Sequence, residues 1–436
     1  MGGVLSYPVE LIRVQRHGSA VFRCAVAEMQ GWRMGHEDAH EMRCEASSGA
    51  FWVLDGHGGD GAALYSAPEL GKEFASLGKT GEIPGNEQLA EGFAAVDARL
   101  REYVRENPDK DSGSTVVGAL VSRQSDGNYS LKLLNCGDSR GLVVRGPTEE
   151  EASAPKIPVR MPQHLEALQG NAEAVEKCWT ASEFAWPIIV ESIDHKPNHP
   201  TERNRIETAG GSVSEEDPPR LDGNLAVSRG LGDFEYKADA SRPVPTQKVS
   251  CVPDIYEVSN LRPGTICVIC CDGVWDVMSG HEVATFVRDA IRNDPSTDLG
   301  DLASQIVRDS LRKNSRDNVT VMIAQFTDGS DWTQEPDEMK EYENLLSELD
   351  EEVRKQYLCF LKKSKFPAEP CACAVCGRWT SNMNQCPCKQ VYYCCRPCQK
   401  KHWKTHKPNC AAATAPTAAS PSSAPSKATP KGNAKK

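Results

Sequence analysis

The spacing of hydrophobic positions changes period several times along this chain. Phe51-Trp52-Val53-Leu54, Ser114 to Val121, Ser130 to Asn135 and Thr265 to Cys271 are short apolar runs bounded by Gly, Asp or Pro and rich in β-branched or aromatic residues, which predicts strands. Gln88 to Glu106 instead carries Leu89, Phe93, Val96, Leu100 and Val104 at three- and four-residue intervals, the stripe of an amphipathic helix. His281 to Arg292 and Leu299 to Arg312 read the same way. Strands and helices without a regular β-α-β rhythm predict an α+β layer fold rather than a doubly wound sheet.

Three stretches depart from this pattern. Residues 146 to 187, with Glu149-Glu150-Glu151 and five prolines, read as a surface insertion. In residues 335 to 363, Met339, Tyr342, Leu346, Leu349, Val353 and Leu361 form a near-helical stripe amid dense Glu and Asp, predicting one solvated helix that leaves the body, with a coiled-coil seam as the sharper alternative. Ala411 to Lys436 is too poor in apolar side chains to offset the entropy of ordering and is expected to be disordered. The chain therefore divides into an N-terminal segment 1–18, a body 19–328, an acidic helical linker 329–370, a cysteine-rich module 371–410 and a tail 411–436.

Composition sharpens the picture. Of 436 residues, 39% are hydrophobic and 25% charged, which excludes global disorder, and Thr265 to Cys271 falls far short of the ~20 apolar residues of a membrane span. The net charge of -11 is uneven: residues 371–436 hold eleven Lys and Arg and no Asp or Glu, leaving -22 on residues 1–370. Nine of the 18 cysteines lie between Cys371 and Cys410. Met1-Gly2-Gly3-Val4-Leu5-Ser6 fits the N-myristoylation pattern on Gly2, and a single acyl chain gives only weak, reversible membrane association. Arg13 and Arg16 interrupt the N-terminal stretch before a secretory core forms. A cytoplasmic or nuclear chain, not a secreted one, is expected, with its cysteines as thiols or metal thiolates.

Three of the strands run into an Asp beside Gly: Val53-Leu54-Asp55-Gly56, Asn135-Cys136-Gly137-Asp138 and Cys270-Cys271-Asp272-Gly273. Singly, each reads as a turn. If the strand ends converge, they make an oxygen-rich pocket for hard cations such as Mg2+ or Mn2+, and two such ions activate water and neutralise a phosphoryl transition state. Cys267 and Cys270 are spaced CxxC, but on a strand they face opposite ways and read as small buried hydrophobes.

With Gly31-Trp32-Arg33-Met34-Gly35-His36-Glu37-Asp38, Asp55-Gly56-His57-Gly58-Gly59, Ser112-Gly113-Ser114-Thr115, Asp194-His195-Lys196-Pro197, Ser228-Arg229-Gly230-Leu231-Gly232-Asp233, Asp272-Gly273-Val274-Trp275-Asp276 and Ser315-Arg316-Asp317-Asn318 in order, residues 20 to 326 resemble the metal-dependent serine/threonine phosphatases of the protein phosphatase 2C (PPM) family. The resemblance implies an antiparallel β-sandwich flanked by helices. It implies two Mn2+ or Mg2+ ions held by Asp55, the Gly56 carbonyl, Asp272 and Asp317, a third, weaker ion at Asp138 with Asp272, and Glu37 and Asp38 ordering metal-bound water. Arg33 takes the phosphate-binding position and His57 that of general acid, whereas Asp233 and Asp194 read as structural. His36 stands where the family usually has Met, and Gly230 where it usually has Ala.

Cys373-x2-Cys376, Cys386-x-Cys388, Cys394-x3-Cys398 and His406-x3-Cys410 supply eight soft ligands, enough for two tetrahedral Zn2+ sites. The segment resembles a MYND-type zinc finger, whose interleaved topology implies one zinc on Cys373, Cys376, Cys394 and Cys398 and the other on Cys386, Cys388, His406 and Cys410. The family's second pair is usually CxxC, so a shifted ligand within Cys386-Pro387-Cys388 stays open, and Cys371, Cys395 and His402 read as non-ligands. The resemblance implies docking of a protein partner, a proline-rich peptide among the candidates. Non-specific nucleic-acid contact by Lys400, Lys401, Lys404 and Lys407 is the weaker reading. A monomeric phosphatase of phosphoserine and phosphothreonine proteins is expected. The rival is a phosphoprotein-binding scaffold assembled through the finger.

Overall fold

Val319–Phe326 shows how the apolar runs become strands. Val319, Val321 and Ile323 enter one hydrophobic cluster, while Met322, Ala324 and Phe326 enter another, so both faces of the strand are buried. The computed structural model describes residues 4–162, 184–330, 332–341, 351–365, 373–377 and 383–410. Gly2, residues 163–183, Tyr342, Leu346, Leu349, Cys371 and the 411–436 tail, each subject to an expectation above, lie outside the described residues. The chain forms two units, Met1–Pro370 and Cys371–Lys436.

The first unit is the expected α+β sandwich. One sheet runs Val159–Arg160, Asp254–Leu261, Tyr129–Cys136, Val116–Arg123, Ser48–Leu54, Ala39–Cys44. The other runs Ile188–Glu191, Arg140–Val144, Ile266–Cys270, Val319–Phe326, Phe22–Met29, Ile12–Gly18, Glu338–Lys340. Every pairing within them is antiparallel. Between the sheets, Phe22 packs edge-on against Phe51, Phe326 and Tyr129, with centroids 5.8–5.9 Å apart. Helices Gly61–Glu73 and Asn86–Glu106 cover the first sheet's outer face, burying the Leu89-Phe93-Val96-Leu100 stripe. Gly280–Asn293 and Leu299–Arg312 cover the second. Their starts are capped by Ser279 with Glu282 and by Asp298.

The expectations for the termini of the body need correction. The 1–18 segment supplies two strands, Val4–Val9 and Ile12–Gly18. The 329–370 stretch is not one solvated helix. Glu338–Lys340 extends the second sheet by pairing with Ile12–Gly18, with Met339 buried and Arg16 bonded to the Glu338 carboxylate at 2.6 Å. Only Glu351–Lys363 is helical among its described residues, and it turns Val353, Tyr357, Phe360 and Leu361 onto the body rather than into a coiled coil. The 146–187 stretch is likewise only partly surface: Val159–Arg160 is an edge strand, Met161 is buried, and the Arg145 and Arg288 guanidiniums lie over the Trp186 ring.

The second unit carries the short hairpin Asn384–Gln385 with Tyr392–Tyr393 and the helix Arg396–His406, gathered around Cys386, Tyr393 and Cys410.

Candidate active site

The strand registers bring the chemistry to one end of the sandwich. Ala39 pairs with Leu54, Val53 with Val117, and Cys136 with Val116, so Asp38, Asp55 and Asp138 leave the first sheet together. In the second sheet Cys270 pairs with Val321, and Val319 pairs with Met29, so Asp272, Asp317 and the 30–38 loop leave at the matching end. Oxygens of Asp38 and Asp55 and the Cys271 sulfur lie within 4.8 Å of one another.

Close approach explains the neighbouring glycines. A Cβ on Gly56 would meet the Glu37 carbonyl oxygen at 2.5 Å, and one on Gly273 would meet the Asn318 oxygen at 2.1 Å. The Ser112-to-Thr115 motif serves the same end. Thr115 donates its backbone N–H to the Asp55 carbonyl at 2.9 Å, and the Ser114 hydroxyl donates to that oxygen at 3.2 Å.

The carboxylates are held close with too little compensating charge. Burial, then Asp272, Asp38, Asp317 and Asp138, push Asp55 well above the usual carboxylate range. Burial with Asp138, Asp317 and Asp276 does the same to Asp272. Asp38 is pushed up to about 7 by burial, although the Thr320 hydroxyl donates to its Oδ2 at 2.6 Å. Asp38 Oδ1 and Asp272 Oδ1 are buried without a hydrogen-bond partner. Orphaned acidic oxygens in a mutually repelling cluster fit hard divalent cations. Residues Asp38, Asp55 and Asp272 thus suit the implied ions, whereas Asp317 is paired with Arg33, and the Asp138 Oδ2 accepts from Lys196.

Arg33 is partly exposed and bonds the Asp317 carboxylate. Glu37 donates its backbone N–H to Asn318 Oδ1 at 2.8 Å. His57 Nε2 faces both carboxylate oxygens of Asp233 at 2.9 Å. Burial disfavours the imidazolium, but Asp233, Asp138 and Glu37 outweigh it and raise the His57 pKa.

Several residues escaped the sequence reading. Asp233, read as structural, is paired with His57 Nε2, a contact between residues 176 positions apart that no local pattern signals. Asn318 donates to the Gln30 and Gly35 carbonyls at 2.7 and 2.9 Å, tying the 30–37 loop to the core. Lys196 and Asp276 flank Asp138 and Asp272. Asp194 is bonded to Arg140 at 2.9 Å, and His195 accepts from the Gly137 N–H at 3.1 Å. Cys267 and Cys270 point into opposite clusters, and burial pushes the Cys267 thiol up to about 12, far from a thiolate nucleophile.

In the second unit, Cys373, Cys376, Cys394 and Cys398 form one cluster and Cys386, Cys388, His406 and Cys410 the other. Sulfur separations of 3.6 Å (Cys376 to Cys394), 3.7 Å (Cys394 to Cys398) and 3.6 Å (Cys386 to Cys410) match edges of a Zn–S tetrahedron. Such an edge is about 3.8 Å for a ~2.3 Å bond. Burial opposes the Cys373 thiolate, yet N–H groups of Cys394, Cys376 and Val375 bring its pKa down to about 6. Cys388 faces His406 Nε2 at 3.3 Å, so both members of the shortened pair reach one cluster. His402 Nδ1 is instead at 3.0 Å from the Tyr393 hydroxyl.

Comparisons with known proteins agree with this geometry. The family model for protein phosphatase 2C matches residues 22–158 and 190–319, leaving out much of the 146–187 insertion, and the MYND finger model matches 373–410. Mouse protein phosphatase 1B is 30% identical over 383 residues, 84% of each chain. Bovine protein phosphatase 1A is 31% identical over 375 residues, 82% of this chain and 85% of that one. The match to bovine protein phosphatase 1B is 30% identical and spans 61% of that protein's length. Among solved structures, a phosphatase from Toxoplasma gondii superposes with a TM-score of 0.57 at 24% identity, covering 76% of this chain and 99% of that one. The matched residues include both halves of the sandwich and the carboxylates at its end, and the chain belongs to the protein phosphatase 2C family, with a MYND finger C-terminal to that domain.

Proposed function

We propose that this chain hydrolyses phosphoserine and phosphothreonine in proteins, using two Mn2+ or Mg2+ ions at Asp55, the Gly56 carbonyl, Asp272 and Asp317. A third, weaker ion belongs at Asp138 with Asp272. The observation that carries the reading is the Asp38-Asp55-Asp272 cluster, Asp38 buried and the other two half-buried, with the orphaned oxygens of Asp38 and Asp272 beside Arg33 and the His57–Asp233 pair. When bound, the ions supply Lewis-acid polarisation of the phosphoryl group and activation of water.

The chain's own groups do the rest. Arg33 presents a planar fork of donors to the phosphoryl oxygens, exchanging its bond to Asp317 for the substrate. Hydrolysis forms a P–O bond to water and breaks the bond to the serine or threonine oxygen, which leaves as an alkoxide needing a proton. His57 holds that proton: Asp233 fixes Nε2 and favours the imidazolium, leaving Nδ1 to deliver it. Asn318 and Thr320 hold Glu37 and Asp38 in place to order water at the metal site.

The finger, carrying two Zn2+, docks a protein partner, with a proline-rich peptide the leading class. Gly2 acylation would add weak membrane association to a monomer of the cytoplasm or nucleus. Purified protein tests the central reading: Mn2+-dependent phosphate release from a phosphothreonine peptide, abolished by chelation and by Asp55→Asn or Asp272→Asn, supports it. No release at saturating Mn2+ refutes it and leaves the scaffold reading.

A further inference from the structure

The 30–38 loop carries Arg33, Glu37 and Asp38, and it is held from two sides. From the core, Asn318 binds Gln30, Gly35 and Glu37. From outside, it meets the helix Glu351–Lys363, which lies beyond the last residue, 319, matched by the phosphatase family model.

Three contacts make this helix more than a cover. The Tyr357 hydroxyl donates to the Pro8 carbonyl at 3.2 Å and accepts from the Glu10 N–H at 3.1 Å, securing the strand Val4–Val9. That strand pairs with Gly31–Arg33, with Val4 opposite Arg33. The Phe360 ring packs edge-on against the His36 ring, centroids 5.3 Å apart, and both side chains are buried. Lys363 donates to the His36 carbonyl and lies 3.7 Å from Asp60, three residues beyond His57.

We propose that Phe360 and Lys363 are positioning residues for the metal centre: the helix Glu351–Lys363 braces the His36-Glu37-Asp38 segment, so that the centre's affinity for divalent ions depends on a segment outside the residues matched by the phosphatase family model. The proposal rests on the phosphatase reading above. It also separates geometry from charge. Lys363 is a cation near an acidic centre, so if it acted only by charge its removal would tighten Mn2+ binding. If it acts as a brace, removal weakens binding.

The test uses the full chain and measures Mn2+ binding by calorimetry, alongside Mn2+ activation, kcat and KM with a phosphothreonine peptide, and Tm. Lys363→Met and Phe360→Ala should each raise the Mn2+ dissociation constant about tenfold, the lower end of what loss of an outer support does to a metal site. KM at saturating Mn2+ should hold, and Lys363→Arg should restore wild-type binding. Because Phe360→Ala also loosens a buried contact, Lys363→Met, at the helix end, keeps the result readable if the first variant fails to fold. Unchanged or tighter Mn2+ binding in folded Lys363→Met, with wild type active, overturns the brace alone. A wild type that neither binds Mn2+ nor releases phosphate overturns the phosphatase reading and the brace with it.

Discussion

Arg229 is the most consequential side chain outside the carboxylate cluster. It sits in the Ser228-to-Asp233 motif and joins three segments: its Nε and Nη2 reach Glu202 at 2.8–3.1 Å, and its Nη1 reaches Asp254 at 2.8 Å and the Val252 carbonyl at 3.1 Å. Glu202 and Asp254 are buried. Arg229→Met keeps much of the apolar stem but strands both carboxylates, a loss worth about 3–5 kcal/mol when a buried pair is broken. Some charge remains: Arg205 still reaches Glu202 at 2.6 Å, and His195 reaches Asp254 at 3.1 Å. The lower figure, about 3 kcal/mol, therefore applies. At ~2.1 cal/mol/K per residue over about 300 residues, that lowers Tm by about 5 °C. Burial alone would raise the Glu202 pKa, but Arg229, Arg205 and His195 hold it well below the usual range. A depressed carboxylate contributes stability above its unfolded value of about 4.3 and loses it as pH falls through the folded value. The gap in Tm between wild type and variant should accordingly be full from pH 7 down to about pH 5 and shrink as pH falls below about 4. Scanning calorimetry of both proteins measures it, with Arg312→Met, which breaks an exposed pair with Asp309, as the reference for a change near zero. A drop no larger than the reference's, or one that does not vary with pH, would refute the reasoning.

Two further outcomes follow from the site geometry. Asp233→Asn removes the charge that raises the His57 pKa; because the protonated form is the acid, activity is present below that pKa and lost above it, so the alkaline limb of the kcat profile should move to lower pH. At neutral pH kcat should fall by up to about a hundredfold with KM little changed, and an unmoved limb would remove Asp233 from the mechanism. For the finger, native mass spectrometry should find two zinc ions in the wild type and in Cys395→Ala but one in Cys388→Ala, since Cys388 faces His406 within its cluster. Loss of zinc in Cys395→Ala would instead make Cys395 a ligand of the cluster that holds its neighbour Cys394.

What the chain revealed in advance was chemistry carried by short spacings. Asp55, Asp138 and Asp272 announce themselves because each ends an apolar strand beside glycine, and the finger's ligands because nine cysteines fall within 40 residues of a chain otherwise sparse in them. What stayed hidden depends on partners hundreds of residues apart. Glu338 is buried because Arg16 meets it across 322 positions, an interaction that no local period encodes. Met339 therefore contributes to a strand, although its spacing from Val353 and Leu361 also suits a helical stripe. The same holds at the active site. The tie between Asp233 and His57 spans 176 residues, and that between Lys363 and His36 spans 327. Reactive groups are legible because their chemistry demands particular residue types at particular turns. The residues that position them are read only once the fold supplies the neighbour, because a lysine, an aspartate or a phenylalanine on a helix face satisfies many local roles equally well. Positioning in this chain thus resides in contacts between distant segments, with the brace on the 30–38 loop formed by residues that lie outside the family's shared core.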